Sequence, residues 1–181
     1  MTAPAPAPSA TAAASWAWGP FSRLCLAAAA VTLVLDQAHK WWMLGVYGIA
    51  GKGRVEVLPF LDLVFVKNTG ISYSLFDQSS TAWQLGLAAF AAAASCALWV
   101  WNAHSGTGRL MAASVGLIIG GAVGNGIDRI LIGGVADFFS LHAFGFYWYV
   151  FNIADVAIVA GVIGLLYDSV LGSRKDAANP L

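Results

Sequence analysis

Charge is what this sequence has least of. Only 10% of its 181 residues are Asp, Glu, Lys or Arg, against about 25% in soluble domains. Hydrophobic residues make up 59%, and mean hydropathy is +0.74. That balance excludes an ordinary soluble domain and reads as an integral membrane protein. The 9 basic and 9 acidic residues cancel, so no global field favours nucleic acid or an acidic partner. Cysteine is scarce too. Cys25 and Cys96 sit alone in separate apolar runs, which excludes a metal knuckle or redox pair and leaves small buried hydrophobes. His39, His104 and His142 are scattered without ligand spacing, so no metal is expected.

Residues 1–22 carry no charge and are rich in Ala, Pro, Ser and Thr. Such a segment buries too little surface to offset its ordering entropy, so a flexible tail is expected. The basic region that precedes the core of a secretory signal is missing, and the apolar run beyond Arg23 reads as an uncleaved anchor. Long apolar runs are plentiful. Crossing the hydrocarbon core takes about 20 mostly apolar residues. Four segments qualify: roughly Leu24 to Val46, Ala82 to Trp101, Leu110 to Ile130, and Trp148 to Leu171. This divides the chain into a tail (1–22), a membrane domain (23–172) and a polar C-terminal tail (173–181). Between the first two spans, Val55 to Lys67 is β-branched and aromatic with partial alternation, which predicts short strands, limited by Pro59.

Following direction through the spans locates the rare polar residues. Asp36 and Lys40 lie late in the first span, and Asn68 and Gly70 shortly before the second. Asn125, Asp128 and Arg129 close the third, Asp137 follows it, and Asn152 and Asp155 open the fourth. Successive spans alternate in direction, so all of these gather at one leaflet. Asp36 and Lys40 are spaced i, i+4, Asn125, Asp128 and Arg129 i, i+3, i+4, and Asn152 and Asp155 i, i+3, so each set shares a helix face. An ionisable residue in a span costs about 2.5–3.5 kcal/mol on insertion scales and generally faces a bundle interior or wet cavity. For Asp36 with Lys40, and Asp128 with Arg129, simple pairing between helices is an equally good reading. It is a weaker one for Asp137 and Asp155, which have no basic residue within four positions.

Lys and Arg counts near the span ends tie between the two sides. Several of the polar-side charges belong to the site or to the longer loop. Discounting them makes the plain side, with Arg23, Arg109, Arg174 and Lys175, cytoplasmic. Trp41, Trp42, Tyr147, Trp148 and Tyr149 then form an aromatic belt at the outer interface.

Two carboxylates facing each other in a low-dielectric pocket share a proton. The charged one can take a proton from water as it attacks an amide carbonyl, while the protonated one polarises that carbonyl. The chain has no HExxH and no serine–histidine pairing signal, which removes the commoner proteolytic mechanisms. A proton-coupled transporter is the main rival, but it needs polar residues through the full membrane depth. Here the far halves of all four spans are almost wholly apolar, and only Gln84, Ser95 and Ser114 interrupt spans two and three. A structural subunit whose charges pair with partner helices is the third reading. Spacing alone leaves Asp128 open as the partner of Asp155, whereas the apolar flanks of Asp137, Ala136 and Phe138, favour Asp137.

Five blocks, "DQAHK" (Asp36–Lys40), "NTGISYS" (Asn68–Ser74), "GNGIDR" (Gly124–Arg129), "VADF" (Val135–Phe138) and "FNIAD" (Phe151–Asp155), stand in an order that resembles bacterial lipoprotein signal peptidase, or signal peptidase II. The resemblance covers roughly residues 24–171. It implies an inner-membrane aspartic endopeptidase that cuts prolipoproteins just before the diacylglyceryl-modified cysteine. It also implies a catalytic pair at Asp137 and Asp155, and substrate-binding positions at Asn68, Asn125, Arg129 and Asn152. Asp36, Lys40, Gly70 and Asp128 would support them. The implied fold is an all-α integral membrane protein of four transmembrane helices. A small extracytoplasmic β-structure would lie between helices 1 and 2, and a short extracytoplasmic helix between helices 3 and 4. The implied partners are the lipid-modified prolipoprotein and membrane lipid, with no nucleic acid and no cofactor, the chain acting as a monomer. Ile71 stands where the family usually has alanine, and His39 where serine or threonine is common. Both departures bear on substrate preference.

Overall fold

The computed structural model describes residues 17–70, 80–105 and 108–178, with side chains as far as Val170. Over these residues the chain forms four long helices: α1 (Ser22–Trp41), α2 (Thr81–His104), α3 (Arg109–Ile132) and α4 (Ile153–Ala178). It also forms four strands: β1 (Val55–Leu58), β2 (Leu61–Asn68), β3 (Val135–Ala143) and β4 (Phe146–Phe151). These make one antiparallel sheet in the spatial order β1-β2-β3-β4. A π-helical turn, Trp42–Val46, ends α1. Among the described residues, α2, α3 and α4 as far as Val170 are each long and apolar enough to cross a membrane. With 20 residues α1 matches the length of a span, but Arg23, Asp36 and Lys40 lower its apolarity.

The packing is inverted relative to a soluble bundle. Large apolar side chains such as Val34, Leu35, Phe90, Leu131, Ile163 and Leu166 point outward, while the inward faces are small or polar. This is the arrangement expected where lipid is the solvent, because association there depends on close packing and interhelical hydrogen bonds. The central helix is α3, packed against α1, α2 and α4. Two adjacent glycines let it serve two neighbours at once. A Cβ on Gly120 would meet the Ala29 carbonyl oxygen of α1 at 2.5 Å, and one on Gly121 the Ala154 oxygen of α4 at 2.5 Å. Gly120→Leu should therefore force the α1–α3 backbones apart and cost about 3 kcal/mol or more, at the severe end of overpacking. A thermal midpoint in detergent unchanged from the parent protein would contradict this close approach.

Strand chemistry explains the sheet. Pro59 sits in the tight turn between β1 and β2, where its missing N–H removes no ladder bond. The middle strand β3 is flanked on both sides, and Val135 to Phe138 are all buried. Alternation sends Ala136 and Phe138 to one face, where they pack with Met43 and Ile49, and Asp137 to the other.

Three expectations are corrected. Between α3 and α4 the chain forms the β3–β4 hairpin rather than a short helix. Its residues are β-branched and aromatic, and Phe144 (φ 52°) and Gly145 (φ 80°) take the left-handed backbone that a tight hairpin turn requires. For the same reason the fourth helix begins at Ile153, not Trp148, because Trp148 already belongs to β4. Residues 17–22, expected as the end of a flexible tail, are docked. The Trp99 indole donates to the Ala17 carbonyl at 3.0 Å, Trp18 packs edge-on to Trp99, and Ser22 is buried. Residues 1–16 and the second half of "NTGISYS", with Ile71, lie outside the described residues.

Candidate active site

The end of α1 supplies the charge that organises the site. Lys40 is 4% exposed, and its ammonium has three donors. All three are used: Asp36 at 2.8 Å, Asp128 at 2.8 Å, and the Asn125 amide oxygen at 3.1 Å. Each carboxylate then fastens a second element. Asp36 Oδ1 accepts the Ala154 N–H in the first turn of α4 at 3.0 Å, and Asp128 Oδ2 accepts the Ala136 N–H of β3 at 3.0 Å. The Gln37 amide reaches Asp36, Asp128 and the Gly124 carbonyl at 3.1–3.2 Å. One lysine and two aspartates thus tie α1, α3, α4 and the sheet together. Gly124 makes the approach feasible, since a Cβ there would meet Asp36 Oδ2 at 2.5 Å.

The second layer is built from asparagines. Asn152 stands immediately before α4 and forms a reciprocal cap with Asp155. The Asp155 N–H donates to Asn152 Oδ1 at 2.9 Å, and the Asn152 N–H donates to Asp155 Oδ2 at 3.2 Å. The Asn152 side-chain amide spends its two hydrogens on Asn125 Oδ1 (3.1 Å) and Asp137 Oδ1 (2.7 Å). Asn125 Nδ2 in turn donates to Asp155 Oδ1 at 2.9 Å. Asn68, two positions along β2 from Val66, the partner of Asp137, lies diagonally across the sheet face and donates to Asp137 Oδ2 at 3.2 Å. Its own Oδ1 accepts the Gly70 N–H at 3.1 Å.

Of the ten residues singled out in the sequence, Asp36, Lys40, Asn68, Gly70, Asn125, Asp128, Asp137, Asn152 and Asp155 are joined through these bonds. Arg129, the tenth, donates to the Asn125 carbonyl at 3.0 Å and lines a cleft of about 260 Å³ with Asn68, Gly70, Asn125 and Asp155. Asp155 faces this cleft, while Asp137 sits deeper at 1% exposure. Burial, reinforced by the nearby Asp155 charge, pushes the Asp137 carboxyl up to about 7, against the opposing hydrogen bonds from Asn68 and Asn152 and the charge of Lys40. Two contributors escaped sequence reasoning. Gln37 lies inside "DQAHK" but looked like an ordinary polar residue. Gln84, whose amide donates to the Thr69 carbonyl at 2.6 Å, read as an interruption of an apolar span.

The family model described as signal peptidase (SPase) II matches residues 28–171. The chain belongs to the signal peptidase II family. It is 53% identical to a lipoprotein signal peptidase of Rhodopseudomonas palustris over 83% of this chain and 93% of the relative. It is 49% identical to one from Methylocella silvestris over 81% and 85%. A solved structure described as a bacterial membrane enzyme, determined by the in meso method, superposes with a TM-score of 0.67 and 26% identity, covering 87% of this chain and 91% of that one. The family makes this chain a peptidase, and the matched segment contains the whole Asp36-to-Asp155 network.

Beside the polar cleft, this signal peptidase II family member carries a larger apolar groove of about 710 Å³. Phe60 of the β1–β2 turn and His142, Phe146 and Trp148 of the sheet line it together with Val159 and Ile163 of α4. Asp155 and Tyr149 line both cavities, so groove and cleft adjoin.

Proposed function

We propose that the chain is a membrane-embedded aspartic endopeptidase that removes the signal peptide from diacylglyceryl-modified prolipoproteins, cutting on the N-terminal side of the lipidated cysteine. The observation that carries this reading is that one residue, Asn152, donates to both Asp137 and Asp155. Two carboxylates are thereby held beside a polar cleft and an apolar groove. The relatives' name, lipoprotein signal peptidase, supports the substrate class.

In this mechanism the two carboxylates share one proton, with Asp137 as its holder. The ionised Asp155 accepts a proton from water as the water oxygen bonds to the scissile carbonyl carbon. Asp137 protonates the carbonyl oxygen. Collapse of the tetrahedral intermediate re-forms the carbonyl and breaks the C–N bond: the proton on Asp155 leaves with the amine, and a hydroxyl proton of the intermediate returns to Asp137. Asn68, Asn125 and Arg129 hydrogen-bond the peptide backbone in the cleft, and the apolar groove takes the acyl chains. All four helices cross a bacterial inner membrane, α1 included, because Asp36 and Lys40 turn inward to α3 and α4 and Arg23 stands at the helix start. Both termini are cytoplasmic and the site lies in the extracytoplasmic leaflet. The chain works as a monomer, with neither metal nor cofactor.

Purified protein should cleave a diacylglyceryl-modified precursor and leave the unmodified form intact; equal cleavage of both, or of neither, would sink the assignment. The pH profile is a second check. Asp137 holds its proton below about 7 and loses it above, so kcat/KM should fall by about tenfold per pH unit on the alkaline side. The same shift sets a stability trend. The native state binds more protons than the unfolded chain between the ordinary value of 3.8 and about 7, so this group's contribution is full at low pH and declines as pH rises through that window.

A further inference from the structure

A second charge cluster, built around one buried carboxylate, stands apart from the site at the far end of the sheet. Asp62 on β2 is 1% exposed. Its Oδ2 accepts from Arg54 Nη1 at 2.7 Å, and its Oδ1 lies 3.2 Å from His142 Nε2. The same Arg54 nitrogen donates to Ser140 Oγ at 3.2 Å. Tyr147 on β4 stacks on the His142 ring with centroids 4.9 Å apart, and the Arg54 guanidinium lies 4.9 Å from the Tyr147 centroid. The Arg54 hydrogen bond, followed by the interaction with His142, holds the Asp62 carboxyl below the usual carboxylate range.

Three strands and the residue leading into the fourth contribute to this clasp. Arg54 leads into β1, Asp62 lies on β2, Ser140 and His142 on β3, and Tyr147 on β4. It acts where the backbone ladder is irregular, since the β3–β4 register shifts between Ser140 and His142. Side chains therefore do the fastening at the point where ladder bonds are interrupted. The position matters because His142 is itself part of the groove wall, next to Leu141 and Phe60. Its backbone N–H donates to the Phe60 carbonyl at 3.0 Å.

We propose that the Arg54–Asp62–His142–Tyr147 clasp is a specificity-determining device: it fixes the sheet wall of the apolar groove, and His142 is the positioning residue through which the acyl chains of the substrate are held beside Asp155. This rests on the lipidated-precursor reading above. A purely structural cluster would support the sheet without affecting lipid recognition, and the two accounts separate experimentally.

The test uses the full-length protein with His142→Leu, which keeps an apolar wall but drops the bond to Asp62. His142→Gln, whose amide can still donate to that carboxylate, is its rescue. Asp62 keeps Arg54 in both variants, so no buried charge is stranded. With a dipalmitoylglyceryl precursor, KM for His142→Leu should rise about tenfold while kcat stays within about twofold, the signature of lost ground-state binding. His142→Gln should recover most of the loss. Tyr147→Leu, which removes the stacking partner without touching the ion pair, should raise KM in the same sense and decides the matter if His142→Leu does not fold. Unchanged KM in the folded variants, or a fall in kcat alone, overturns the proposal. Equilibrium binding of a labelled, non-cleavable dipalmitoylglyceryl peptide to the purified protein reports groove binding independently of turnover. Weaker binding in His142→Leu supports the clasp and equal binding refutes it. Absence of cleavage by the parent protein would instead count against the peptidase reading.

Discussion

Asp137→Asn and Asp155→Asn should each reduce cleavage of a lipidated precursor by about 10²–10⁴-fold or more, the range general acid–base groups contribute. Both proteins should remain folded in the membrane. Asparagine preserves shape, so an amide oxygen can still accept the 2.7 Å bond from Asn152 at position 137. At position 155 it can still accept the Asn152 N–H that closes the helix cap. What disappears is the ability to carry a proton. Burial already drives Asp137 towards its neutral form, so replacing it with a neutral amide removes little native-state charge. Thermal midpoints near that of the parent, with turnover gone, are the expected pairing. Retained turnover in purified Asp137→Asn would remove Asp137 from the dyad. A well-folded but inactive Asp128→Asn would instead direct attention to the rival pairing, since Asp128, bonded to Lys40 and the Ala136 N–H, is expected to matter mainly for folding.

Lys40→Met should be among the most destabilising single changes in the chain. Methionine fills a similar volume but leaves Asp36 and Asp128, each 2.8 Å from the lost ammonium, buried without their cation. Removing one partner of a buried ion cluster costs about 3–5 kcal/mol, a large share of the roughly 5–15 kcal/mol that holds a domain together. The damage would spread, because Asp36 fastens the first turn of α4 and Asp128 fastens β3. Neutralising the carboxylates as well, in Lys40→Met with Asp36→Asn and Asp128→Asn, should recover part of the loss. The penalty comes from stranded charge more than from a missing attraction. Unfolding measurements in detergent that placed the single variant within about 1 kcal/mol of the parent would contradict this account.

Much of the architecture could be read along the chain. Four apolar runs correspond to α1–α4, and the β-branched stretch around Pro59 corresponds to β1 and β2. The i, i+3 spacing of Asn152 and Asp155 aimed both side chains the same way, but with the helix expected from Trp148 their reciprocal cap was not legible. The β3–β4 hairpin was less legible. "VADFF" resembles the start of a buried helix as much as a central strand, because a strand buried on both faces shows no alternation. Gln37 and the Arg54–Asp62–His142 cluster were invisible for a different reason, since their partners come from distant segments.

Membrane character and the gathering of polar residues at one end of the helix bundle follow from the order of residues alone, through apolar length and alternating direction. The folded arrangement was needed to bring Asn152 to Asp137 as well as Asp155, and to engage Asp128 with Lys40. Helical periodicity fixes which residues share a face over one turn. Which faces meet depends on how closely backbones approach at Gly120, Gly121 and Gly124 and on the register of β2 against β3. No local spacing encodes either.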